Sequence, residues 1–222
     1  MPRTARATLG GIAYHVMNRG NGRMAVFHDA TDYETFWDLI GRACERLPMP
    51  VLACCLMPNH FHMVLWPAGD DDLGSWMQWL MTAHVRRHHK RHESSGHLWQ
   101  GRFKAFPAQS DSHLLTVIRY VERNPLRANL VGSAEVWQWS SLRVLNAPDR
   151  PAWLHDGPSP RPDGWVAQVN QPQSEAELAA IRRSIACGAP FGSDEWAGQT
   201  ATRLGLAFTR HPGERPGRNQ QA

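Results

Sequence analysis

Residues 51–66 read VLACCLMPNHFHMVLW, two apolar runs separated by Pro58-Asn59. Runs this short with a turn dipeptide between them predict a β-hairpin. On the second run, residues two apart share a face, so His60 and His62 project together while Phe61, Met63 and Leu65 project the other way. The odd positions are uniformly apolar and are expected against helices, which leaves both imidazoles on the open face of a sheet.

The flanking segments extend this pattern. Residues 12–18 (IAYHVMN) alternate, with Ile12, Tyr14 and Val16 opposite His15 and Met17, and predict a first strand. Thr31 and Glu34 form a T-x-x-E capping box. Apolar Tyr33, Phe36, Trp37, Ile40, Ala43, Cys44 and Leu47 follow at helical spacing up to Pro48. After the hairpin, Leu73, Trp76, Met77 and Leu80 begin a second helix, residues 102–109 have strand character, and Leu114, Val117, Ile118 and Val121 face inward from a third helix over 111–124. The order β-α-β-β-α-β plus a helix predicts an α+β fold, a ferredoxin-like antiparallel sheet with helices on one face and the other face free for a ligand.

Residues 1–144 would form this domain. Six prolines between 145 and 173 predict a linker or extended crossing. A second capping box, Ser174 with Glu177, opens a small helical C-terminal appendage over 174–208, with a further helix after Ser193. Residues 209–222, nearly without apolar side chains, are expected to be a mobile tail.

The 222 residues carry 24 Lys+Arg against 20 Asp+Glu, a net charge of +4, and the only lysines are Lys90 and Lys104. Arginine's planar fork suits phosphate and base edges, although a GC-rich genome produces the same bias. Ten tryptophans offer stacking surfaces or core bulk. No apolar run approaches the ~20 residues of a membrane helix, and MPRTARATLG lacks the apolar core of a signal peptide. Cys44, Cys54, Cys55 and Cys187 form no C-x-x-C pair and read as small hydrophobes. A cytoplasmic protein without membrane partners is expected.

Candidate chemistry lies in three places. His60 and His62 are spaced to chelate one divalent metal, or they are two surface histidines without a role. Tyr120 and Asn124, four apart, share a face on the last turns of the third helix, beside its apolar stripe; a tyrosine merely covering the sheet edge fits equally well. Around them, His15, Trp99, Arg102, Phe103, Lys104, Arg119, Arg123 and Arg127 are candidate DNA contacts through phosphate pairing and base stacking; a solvated helix face with core aromatics, Phe103 among them, is the other reading. The run His84–His92, four histidines and four Lys/Arg around one valine, reads as a solvated or DNA-facing arm and only weakly as a metal tract.

Five segments in order, YHVMNRG (14–20), MPNHFHMVLWP (57–67), HLWQGRFKA (97–105), RYVERNPLRANLV (119–131) and WQWSS (137–141), resemble REP-associated tyrosine transposases. These are IS200-like members of the single-tyrosine HUH transposases, and the likeness extends over about residues 10–208. The resemblance implies that His60, His62 and Asn124 hold a divalent metal ion (Mn or Mg), that Tyr120 is the nucleophile, and that the substrate is single-stranded DNA with a palindromic hairpin. It implies a 5′-phosphotyrosine intermediate and no nucleotide cofactor. Monomer and homodimer stay open. Two other functions fit the composition: a non-catalytic DNA- or RNA-hairpin binder that keeps the site, and a duplex-binding regulator using residues 174–206 as a helix-turn-helix.

Overall fold

The computed structural model describes residues 8–209. Four strands, β1 (Ala13–Arg19), β2 (Val51–Met57), β3 (His60–Leu65) and β4 (Lys104–Ala108), form one antiparallel sheet in the order β2-β3-β1-β4. Helices α1 (Ala30–Arg46) and α2 (Asp72–Arg91) join them as two interleaved β-α-β crossovers. The fold is therefore α+β with the predicted order of elements. Pro107 is accommodated because β4 is an edge strand.

The period of two sorts the sheet into two faces. Tyr14, Val16, Cys54, Leu56, Phe61, Met63 and Leu65 pack against Phe36, Leu39 and Ile40 of α1 and Leu73, Trp76 and Met77 of α2. The hairpin turn is held from outside: the Val26 and Phe27 N–H groups donate to the Pro58 carbonyl, and Gly20 N–H donates to that of Asn59. Only glycine fits at 20, since a Cβ there would meet the Met24 carbonyl oxygen at 2.2 Å.

The face expected to be open is not. A third helix, α3 (Ser112–Glu122), lays Leu114, Val117, Ile118 and Val121 over Ala53, Cys55, Val64 and Phe106. Short helices α4 (Asn124–Arg127) and α5 (Ser141–Val144) follow it. A four-stranded sheet with apolar residues on both faces must bury both, and two crossover helices cover only one.

The proline-rich segment is integrated rather than a spacer. Val51 pairs with Leu154 in an isolated parallel bridge, and α6 (Trp165–Asn170) packs on α3. Glu122, fully buried at the end of α3, accepts hydrogen bonds from Ser141 Oγ (2.9 Å), an Arg161 guanidinium N–H (2.8 Å) and Trp165 Nε1 (2.6 Å). Arg161 also donates to the Leu52 carbonyl, where β2 shifts register. The last helices, α7 (Glu175–Cys187) and α8 (Asp194–Arg203), continue the body. Phe191 between them bonds to Pro107 and Gln109 at the β4 edge. The expected tail beyond Thr209 lies outside the described residues.

Two local expectations change. The cap of α1 is Asp29, whose side chain accepts from Asp32 N–H, while Asp32 accepts from His28 N–H; the helix begins ahead of Thr31. A carboxylate at this position is an equally good cap and adds a favourable interaction with the helix dipole. The 84–92 run is not a free arm but the end of α2. His84 (2% exposed) and His88 (6%) face inward, because four-residue spacing continues the buried stripe of Trp76, Met77 and Leu80. Among the described residues no helix is long and apolar enough to cross a membrane, and all four cysteines are free thiols.

Candidate active site

Because β1 and β3 are antiparallel neighbours with Met17 opposite His62 and Arg19 opposite His60, the even positions of β3 and the odd positions of β1 share a face. That face meets α3 at Tyr120. The His60 and His62 ring centroids are 5.0 Å apart, and His62 meets the Tyr120 ring edge-on at 5.7 Å. Tyr120, His60, His62 and Asn124 all line one cavity of about 580 Å³.

The two imidazoles are held from behind. His60 Nδ1 is 2.6 Å from Asn59 Oδ1, so the ring donates there and its Nε2 keeps a lone pair. His62 Nδ1 lies 2.9 Å from His15 Nε2, and His15 is stacked on Phe106. Burial pushes His60 down to about 4, helped by the positive charges of Arg19 and Arg127. His62 lies well below the usual imidazole range for the same first reason, then through His15 and His60. Both rings are thus neutral at physiological pH, the form in which imidazole is a metal ligand.

Asn124 opens α4, immediately after the turn that ends α3. Its Oδ1 accepts from Arg127 at 2.9 Å and retains a second lone pair, while its buried Nδ2 has no hydrogen-bond partner among the described residues. Arg127 also lies over the Tyr120 ring, its Cζ 4.0 Å from the centroid. Two neutral imidazoles and one amide oxygen facing a common cavity fit a divalent ion.

Among the described residues Arg19, Arg102, Lys104, Arg127 and Arg182 line the cavity, and no carboxylate does. Such a wall favours a polyanion through direct pairing and through its summed field. Arg102 and Asn18 also line an adjoining groove of about 1090 Å³ that runs along α2 past Met81 and Val85.

The expected DNA contacts divide. Arg102, Lys104 and Arg127 reach the cavity, and Phe103 lines the adjoining groove. Arg119 and Arg123 do not line the cavity: they donate to the carbonyls of residues 169–172 and tie α6 to α3. Carbonyls at a helix end lack intrahelical partners, and a guanidinium satisfies them well. Trp99 is 6% exposed, packed among Phe27, Phe36, Phe61 and His84, and its remaining edge lines the adjoining groove beside Phe103. His15, 1% exposed, lies beneath His62 and is not among the residues lining the cavity.

Met17, Asn18, Arg19, Gln100, Arg182 and Ile185 also line the cavity and were missed. Arg19 was legible: the alternation of β1 places it on the face of His15. Arg182 left a fainter sign, a cation three and four residues from Ile185 and Leu178 on the apolar side of α7. Its presence in the cavity, with α7 packed on β4 and α3, leaves residues 174–206 unlike a detached helix-turn-helix.

Comparison with known proteins agrees with this geometry. The profile of the family described as "Transposase IS200 like" matches residues 8–124. A Haemophilus influenzae protein named as a REP-associated tyrosine transposase is 27% identical over 124 residues, 50% of this chain and 70% of that protein. A REP-associated tyrosine transposase solved bound to a REP hairpin superposes with a TM-score of 0.54 at 22% identity, covering 65% of this chain and 86% of the other. With the family profile spanning more than half its length and four of the five ordered motifs lining one cavity, this chain belongs to the IS200-like transposases, in the likeness of the REP-associated tyrosine group.

Proposed function

We propose that this transposase cleaves and rejoins single-stranded DNA beside a palindromic hairpin, using Tyr120 as nucleophile. The observation that carries the reading is the composition of the cavity, where, among the described residues, a tyrosine and two neutral imidazoles face five cations and no carboxylate. The relative solved with a REP hairpin supports the choice of substrate.

In the proposed step the Tyr120 phenol oxygen attacks a backbone phosphorus in line. The new O–P bond replaces the P–O3′ bond, leaving a 5′-phosphotyrosine and a 3′-hydroxyl that takes up a proton. The phosphodiester bond energy is conserved, so a 3′-hydroxyl can reverse the step without a nucleotide cofactor. A divalent ion held by His60, His62 and Asn124 would polarise the phosphate and offset its developing charge. Arg127, placed over the Tyr120 ring and bonded to Asn124, orients both. Arg19, Arg102, Lys104 and Arg182 would position the strand by its phosphates.

The test is incubation of the purified protein with end-labelled hairpin DNA and manganese, followed by denaturing electrophoresis. A denaturant-resistant adduct is expected with the parent protein and none with Tyr120→Phe, which should still retain the hairpin. Equal cleavage by Tyr120→Phe removes Tyr120 as nucleophile. Tight, salt-sensitive hairpin binding with no product under any divalent ion would make the protein a hairpin binder instead.

A further inference from the structure

Across the sheet from the Tyr120 cavity, three histidines far apart in sequence converge. His88 and His92 lie one helical turn apart at the end of α2, and His28 precedes the cap of α1. One ligand-capable atom of each lies within 4.8 Å of the other two. The ring centroids are 4.5 Å (His88–His92), 4.8 Å (His28–His92) and 5.7 Å (His28–His88) apart. No other three His, Cys, Asp or Glu side chains come together this way among the described residues.

Packing alone does not account for the group. His88 is 6% exposed, and neither of its ring nitrogens has a hydrogen-bond partner among the described residues. A neutral imidazole has one donor and one acceptor, and burying both unpaired costs free energy that a ligand would recover. His92 is already oriented: its Nε2 donates to both oxygens of Asp32, at 2.9 and 3.1 Å, which leaves the Nδ1 lone pair free. A carboxylate behind a histidine in this way is the usual support for a metal-binding imidazole. Asp32 is itself buried and fixed by the His28 N–H and by Arg91. Asp29 and Asp32 together outweigh the one guanidinium of Arg91 that pairs with both.

We propose that His28, His88 and His92 form a second metal site, separate from the catalytic cavity and selective for a zinc-like divalent ion. Three imidazoles plus an open position suit zinc. Zinc–nitrogen bonds of about 2.0–2.1 Å bring ligand nitrogens to roughly 3.4 Å of one another. The ligand atoms, within 4.8 Å of one another, must therefore close in by up to about 1.4 Å, which exposed His28 and helix-terminal His92 can do by rotation. The ion would clip the segment before α1 to the end of α2. That segment also carries Val26 and Phe27, whose N–H groups hold the Pro58 turn ahead of His60.

The experiment uses the untagged full chain carrying His60→Ala and His62→Ala, so that the catalytic imidazoles contribute nothing. After chelator treatment it is titrated with zinc chloride alone against a chromophoric competitor, and its melting temperature is read with and without zinc. One zinc per chain and a raised melting temperature are expected. Adding His28→Ala should weaken zinc binding about tenfold or more and remove the zinc-dependent rise. The melting temperature in chelator should stay unchanged, since His28 is exposed. His88→Ala should also abolish binding; if it fails to fold, the His28 variant still decides. Absence of zinc binding, or binding indifferent to His28→Ala, overturns the proposal.

Discussion

Replacing Glu122 by glutamine should destabilise the protein strongly and weaken the catalytic site from behind. Glu122 is fully buried and accepts from Ser141, Arg161 and Trp165, while the Arg161 side chain is only 5% exposed. The substitution keeps the shape but turns one acceptor oxygen into a donor facing N–H groups. It also strips Arg161 of its near counter-charge, leaving only the Leu52 carbonyl and Asp156 at 4.0 Å. Breaking one partner of a buried pair costs about 3–5 kcal/mol. For a chain of this size each kcal/mol lowers the melting temperature by about 2–4 °C, so a fall of about 6–20 °C is expected by circular dichroism. Glu122 lies two residues from both Tyr120 and Asn124, so adduct formation should fall as well, even well below the new melting temperature. The paired change Glu122→Leu with Arg161→Met should recover most of the stability, because no charge is left unpaired. A Glu122→Gln melting temperature within about 2 °C of the parent would refute the argument that this buried pair ties residues 145–173 to α3.

Arg182→Ala should weaken hairpin binding and reduce the salt slope of log K by about 1, measured by fluorescence anisotropy across a salt series. Arg119→Ala, which breaks bonds to Gln171 and Pro172, should leave that slope unchanged and lower the melting temperature instead. Equal effects from the two would show that the cavity does not carry the phosphate contacts. In chelator, stability should fall as pH drops from about 6.5 toward 4. Burial lowers His15 to about 3, His84 to about 3 and His60 to about 4, so the unfolded chain binds protons across this window before the native state does. Denaturant titrations at stepped pH check it, and a flat profile between those limits would mean these rings are not held neutral.

Much of this protein was legible in its residues alone, because strand alternation and helical period are local properties of the backbone. The alternation of 12–18 and 60–65 determined which side chains share a face, and so that His60 and His62 project together. The order of elements determined the interleaved sheet, and Tyr120 with Asn124 at a helix end marked a second edge of the site. Local period states which side a residue takes but not what covers that side. Packing alone decided that α3 closes the second face over His62, that Arg119 and Arg123 bond to α6 while Arg182 enters the cavity, and that Trp99 is core. It also brought His28 to His88 and His92 across some sixty residues of chain. Those outcomes depend on contacts between segments distant in sequence, where burial of both sheet faces and satisfaction of buried polar groups outweigh any local preference.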